Sequence, residues 1–201
     1  MKNVVRKNKE VKITKWQKNI LSFTLVYIFI FAVLTILQKN YEFIIYLIGM
    51  AILIPIIWKI HLKFNFSIGV LAGLSILGFV HMLGGLVIID GVRLYGSYLI
   101  EDILRIDKVV HTFGILIATL GIYTVLEKYL KVEKKFVLYL FTILMSVGIG
   151  ALWEIFEFIP VMTLPSTGVG RYFNTMGDLI ADTLGAVLAV NYINFKNRRK
   201  A

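Results

Sequence analysis

The sequence predicts an all-α fold: a polytopic transmembrane helical bundle of six spans with both termini on the inner side. Three observations carry this. Of 201 residues, 58% are hydrophobic and the mean hydropathy is +0.80, whereas soluble domains are about 45–50% apolar. The excess falls in runs of about twenty residues, the length at which a helix crosses a hydrocarbon core of roughly 30 Å. Once the runs are made to alternate, 17 of the 22 Lys and Arg residues lie on one side. The absence of Cys excludes a disulfide framework and a thiolate metal site.

Residues 1–18 hold seven Lys/Arg and one Glu. They read as a cytoplasmic basic leader, with Trp16 at the interface. The first span, 20–37, is longer than a signal-peptide core and precedes no small-residue cleavage site, so it reads as a retained anchor. A second span, 41–58, follows a very short turn. The others are expected at 66–89, 109–126, 136–159 and 176–193. The membrane domain then covers 19–195, and a basic tail, 196–201, returns inside. The longest connections are 90–108 and 160–175. Basic residues kept inside orient the chain in a cell (plasma or inner) membrane. Topology and anionic lipid head groups account for the net charge of +10, so no nucleic-acid partner is expected. Tyr41, Tyr46, Trp58, Tyr95, Tyr98 and Tyr172 fit interfacial belts.

Depth sorts the ionisable groups. At 1.5 Å per residue, His81 lies roughly 22 Å along the third span, in its outer third. Asp107 and His111 stand at the outer end of the fourth. Glu154 and Glu157 lie roughly 27 and 31 Å along the fifth, again at its outer end. Asp178 and Asp182 fall within roughly 10 Å of the outer start of the sixth. Asp107/His111 and Asp178/Asp182 are spaced i,i+4, Glu154/Glu157 i,i+3, so each pair shares a helix face. Small residues continue the stripes: Gly114, Ala118 and Gly121; Gly185 and Ala189; Gly78, Gly84 and Gly85 beside His81. Such stripes mark close helix packing, which turns the polar groups into the bundle.

Ionisable residues at membrane depth are costly and mark functional sites. Imidazoles with carboxylates suit a divalent ion such as Zn²⁺ or Mn²⁺, and the candidate ligands are His81, His111, Glu154, Glu157, Asp178 and Asp182. An ion there would activate water. Without metal, the candidate catalytic groups are His81, Asp107, His111, Glu154 and Asp182, with Asp107 orienting His111 as a general base. Arg171 and the turn at 168–170 would hold an anionic lipid head group above the site. Plainer readings stand beside these. Asn174 or Thr175 would be the N-cap of the last helix, with Asp178 in its first turn. Glu157 would be solvated, Asp107 and His111 would end a helix, and His81 would make one interhelical hydrogen bond. Glu154, Asp182 and His81 resist such explanations best, each lying a turn or more inside the apolar zone.

The stretch Asp107-Lys108-Val109-Val110-His111, a later Glu, and Arg171 followed by Asp178-Leu179-x-x-Asp182-Thr183-x-Gly185-Ala186 resembles the VanZ-like membrane proteins. From His81 to Ala186 the chain is more similar still to the uncharacterised YjdF-type inner-membrane family. It departs in having Asp182 where VanZ-like proteins have Asn, Asn174 where Asp is common, and Phe158 where Trp follows the second Glu. VanZ-like proteins are associated with low-level resistance to lipoglycopeptide antibiotics. The YjdF-type family has no assigned activity. Serine-protease, CAAX-protease and lipid-phosphatase motifs are missing, and Pro165-Ser166-Thr167-Gly168 lacks the His of the last.

Spans three to six are therefore expected to build an outward-opening polar pocket, with spans one and two as apolar scaffold. The pocket suits action on a cell-envelope lipid or its head group. The alternatives are proton- or cation-linked binding or transport, and a structural subunit locked by its polar layer.

Overall fold

Capping residues decide where the first three helices begin. Thr14 and Gln17 form a reciprocal capping box at the start of α1 (Lys15–Leu37), which satisfies two otherwise orphaned amides. Asn40 caps α2 (Tyr41–Phe64) and Ser67 caps α3 (Ile68–Leu86). Asn65 ends α2 in the left-handed region, which Asn tolerates better than most side chains. The remaining helices are α4 (Ile106–Tyr129), α5 (Lys135–Thr163) and α6 (Tyr172–Arg198). The computed structural model describes residues 12–101, 103–130 and 132–199. Much of the basic leader, Lys131 and the last two residues of the tail lie outside them.

All six helices are long and apolar enough to cross a membrane. Their outward faces carry large apolar side chains, such as Phe29, Leu37, Leu152 and Ile155, an arrangement that suits lipid. The helices alternate in direction. One end of the bundle gathers the start of α1 and the end of α6; the other gathers the connections that follow α3 and α5. These are called the terminal end and the hairpin end.

Each expected span has its helix, and two boundaries move with consequences. Helix α2 continues past 58 to Phe64, where Lys63 stays near the aromatic faces of Phe64 and Tyr129 and its amine can reach the interface. Helix α6 begins at Tyr172, so Asn174 and Thr175 lie inside it. Its N-cap position is Arg171, which makes no side-chain capping bond. The expected Asn174 or Thr175 cap is therefore not formed. The 90–108 connection is not plain coil. It holds two small antiparallel hairpins, β1 (Ile88–Ile89) with β2 (Val92–Arg93) and β3 (Tyr98–Ile100) with β4 (Leu104–Arg105). Asp90 and Gly91, both at positive φ, make the first turn. An Asp-Gly pair between apolar residues is a strong hairpin signal.

Small residues let the helices approach. A Cβ on Gly185 would strike the Thr112 carbonyl, so α6 lies against the α4 backbone. Gly73 and Gly114 make room for Ile117 and Leu77 between α3 and α4. Helix α1 is tied to α3 by Tyr27 O–H donating to the Ser75 carbonyl (2.9 Å) and by the Thr24–Ser75 hydroxyl pair (2.7 Å). One apolar core, around Phe43, Tyr46, Met82 and Leu86, sits towards the hairpin end. A second, around Phe64, Phe66, Val70 and Leu71, sits at the terminal end.

Candidate functional site

The spacing of acids along α4, α5 and α6 delivers four carboxylates to one imidazole. His111 projects from the second turn of α4. Its Nδ1 lies 3.1 Å from Asp182 Oδ1 and 3.7 Å from Glu154 Oε1. Its Nε2 lies 3.5 Å from Asp178 Oδ1 and 3.9 Å from Asp107 Oδ1. Asp178 and Asp182 are each 1% exposed and Glu154 8%. The closest carboxylate is that of Asp182, so Asp182 and not Asp107 is the hydrogen-bond partner of the ring.

The two sides of the ring differ. On the Nε2 side Lys108 fills the space. Its Nζ donates to Asp178 Oδ1 at 2.6 Å, to Asp107 Oδ2 at 3.1 Å, and to the backbone and side-chain oxygens of Asn174 at 3.0 and 3.1 Å. Asn174 Nδ2 donates to the other Asp178 oxygen at 2.7 Å. Asp178 is therefore an ion-paired, buried link between α4 and α6, and it lies beyond the first turn in which a helix dipole would favour it. On the Nδ1 side no lysine intrudes. Glu154 Oε1 and Asp182 Oδ2 are buried without a protein hydrogen-bond partner. Gly150 of α5 supplies the space for Asp182 Oδ2, which a Cβ there would overlap.

Four carboxylates thus meet one amine and one imidazole; were all four ionised, two negative charges would stay unbalanced even with the ring protonated. Buried uncompensated charge is expensive, so the cluster calls for a cation or for protons. Two triads have donor atoms within 4.8 Å of one another: Asp107/His111/Asp178 and His111/Glu154/Asp182. Lys108 already occupies the first. The second, with an imidazole nitrogen and two carboxylates, matches the donor set of a divalent transition-metal site with open positions.

His81 and Glu157 lie apart from these triads. His81 is packed among Phe43, Tyr46, Tyr95 and Trp153, with ring centroids 5.2–5.7 Å away. Its Nδ1 is 2.8 Å from the Tyr95 hydroxyl, and its Nε2 has no partner. Glu157 accepts from Trp153 Nε1 at 2.7 Å. Both line a small cavity of about 40 Å³ beside the cluster, with Asp107 and Asn174 shared between the two. Arg171, expected above the site, is exposed. The arginines facing the cavity are Arg93 and Arg105.

Helix α2 is not plain scaffold. Its Glu42, 5% exposed, accepts from Arg93 and from the Gly168 amide, both at 2.7 Å. Its Tyr46 is buried in the core and does not belong to an interfacial belt. Tyr95 also leaves the belt, since it bonds His81. Burial, aided by nearby carboxylates, holds its phenol well above the ordinary tyrosine range. The Glu42–Arg93 pair stands between the small cavity and an open groove of about 560 Å³, which is lined by Tyr41, Leu86, Ile88, Leu164 and Pro165 among others. A signal for the missed residues was present. The expected orientation places five basic residues outside, and three of them, Arg93, Arg105 and Lys108, face this region.

Fold and site together define a polytopic helical membrane protein with a buried histidine–carboxylate cluster at one end of its bundle. The chain belongs to the family described as predicted membrane protein (DUF2238), which matches residues 19–199. No curated protein and no solved structure matches it.

Proposed function

We propose that the hairpin end faces outward from a cell membrane, and that the His111 cluster binds one divalent cation of the zinc or manganese kind. With that ion the protein would act on the polar head group of an envelope lipid. The observation that carries the reading is the pair of buried, partnerless oxygens, Glu154 Oε1 and Asp182 Oδ2, beside His111 Nδ1 in a cluster with excess negative charge. His111, Glu154 and Asp182 would be the ligands. Asp178 and Asp107 would hold the far nitrogen of the ring, the carboxylate–histidine arrangement that fixes metal-bound imidazoles. Lys108 would neutralise those two acids so that they do not compete for the ion. An ion of this kind polarises a substrate oxygen or makes bound water nucleophilic.

The outward orientation is supported by the 17 basic residues that alternation assigns to the terminal side. The lipid substrate is supported by the position of the cluster at one end of six apolar helices and by the amphipathic groove nearby. The VanZ-like pattern at 107–111 and 178–186 favours the same envelope-facing role. A second reading, proton or cation passage, is favoured by the charge excess, which protons would also remove.

Elemental analysis of purified protein supplied with zinc or manganese tests the proposal. About one ion per chain is expected, lost in Asp182→Asn and Glu154→Gln. A wild-type protein that retains no ion would end the metal reading and leave the proton reading standing.

A further inference from the structure

The small cavity beside the cluster has an unusual set of walls. Arg105 sits at the N-cap position of α4. Its Nη1 donates to Asn174 Oδ1 at 2.8 Å and its Nη2 reaches the Tyr95 carbonyl at 3.5 Å. Its Nε is buried without a partner. Among the described residues Arg105 makes no ion pair, so its charge meets only neutral oxygens. Arginine offers donors and no acceptor, and the unmet Nε–H therefore calls for an acceptor.

His81 supplies a second unmet group. The residue is 7% exposed, and its Nε2 has no partner. Among the described residues the Tyr95 hydroxyl bonds only His81 Nδ1. With that hydroxyl as donor, the neutral ring carries its proton on Nε2, as a second free donor.

The acids that line the cavity are largely engaged. Glu42 is held by Arg93 and the Gly168 amide. Asp107 is held by Lys108, and Glu157 accepts from Trp153. The volume, about 40 Å³, is several times the about 10–15 Å³ that admits a water.

We propose that this cavity is an oxyanion subsite, in which Arg105 Nε–H and His81 Nε2–H bind a phosphate-like group of the molecule on which the His111 cluster acts. Its role as a substrate subsite rests on the reading of that cluster as the reacting centre, but its affinity for an oxyanion does not depend on the metal. Asp107 and Asn174 border both spaces, so a group held here would lie next to the centre. The groove beyond Glu42–Arg93 would take the rest of a lipid.

The test is thermal unfolding of the purified full-length chain, with and without inorganic phosphate, and in nanodiscs of phosphatidylcholine alone or with phosphatidic acid. A rise in melting temperature with phosphate or phosphatidic acid is expected. Half-saturation should be about tenfold weaker in Arg105→Gln and in His81→Gln, since a hydrogen bond to a charged group is worth about one decade or more. Arg105→Lys, which keeps charge but lacks Nε–H, should also bind more weakly, and it covers the case in which the Gln variant does not fold. Response to both ligands assigns the pocket to the oxyanion itself; response to phosphatidic acid alone assigns it to a lipid head group. Wild-type protein stripped of ions with a chelator should respond as untreated protein does. If it does so, the subsite stands independently of the metal reading. No response to either ligand, or an equal response in Arg105→Gln and His81→Gln, overturns the subsite.

Discussion

Gly150 of α5 stands where a side chain would overlap Asp182 Oδ2 of α6. Its hydrogen is what lets the buried carboxylate face Glu154 and His111. Gly150→Ala adds one methyl in an apolar setting, yet it should push Asp182 off the ring. We expect a stability loss of about 1–3 kcal/mol from overpacking. Ion affinity should fall at least about tenfold, as when the support of a metal ligand is disturbed. Metal content and thermal unfolding measured on the same preparation check both effects. Full ion retention would show that Asp182 is not held by this contact.

Asp178 and Asp182 are one turn apart and should behave differently. Asp178→Asn removes the charge that pairs with Lys108 at 2.6 Å but leaves Asp107 and Asn174 in contact with the amine. It should destabilise by about 2–4 kcal/mol, near the range for breaking a buried pair, and weaken ion binding only through His111. Asp182→Asn should abolish ion binding with a smaller stability loss. Thermal unfolding beside elemental analysis separates the two, and identical profiles would contradict the division of the ring into two sides.

Arg93→Ala should lower stability by about 1–2 kcal/mol, because Glu42 keeps the Gly168 amide and Arg93 is itself 35% exposed. Glu42→Gln should cost less, since the amide oxygen still accepts. Glu42→Ala, which removes the acceptor of the Gly168 amide, should speed proteolysis within 164–171, because that connection is pinned through Gly168.

The native chain has no cysteine, so orientation can be read without background. Leu99→Cys, exposed in the β3–β4 hairpin, should react with an impermeant maleimide in intact cells. Glu133→Cys, in the connection between α4 and α5, should react only after permeabilisation. The reverse pattern would invert the proposed orientation.

Six helices were legible in the sequence because lipid demands long apolar runs and nothing else in the chain supplies them. The meeting of Asp107, His111, Glu154, Asp178 and Asp182 was legible too, since a constant rise per residue places them at one level. His81 shares that level but belongs to the neighbouring cavity, because Tyr95 and Phe43 pack around it, and no periodicity shows which residues a loop and another helix will bring. Glu42 was hidden for a similar reason. At the first turn of an apolar helix it looks solvated, and only Arg93 and Gly168, 51 and 126 residues away, bury it. The Asn174 cap failed because α6 starts earlier, which turns that side chain to Lys108 and Asp178.

Lys108 has a mechanical consequence as well. Its single amine grips both α4 and α6, and Gly185 sets the two backbones against each other about one to two turns below. That pair of helices is tied at two levels, by an ion pair and by backbone contact. Helix α2 meets α5 through side chains, the Phe156 ring lying over Gly49 and beside Tyr46. Aromatic rings slide and swing at far lower cost than interlocked backbones. A sideways opening towards the bilayer would therefore cost least at the α2–α5 seam, with α4 and α6 as the fixed jaw.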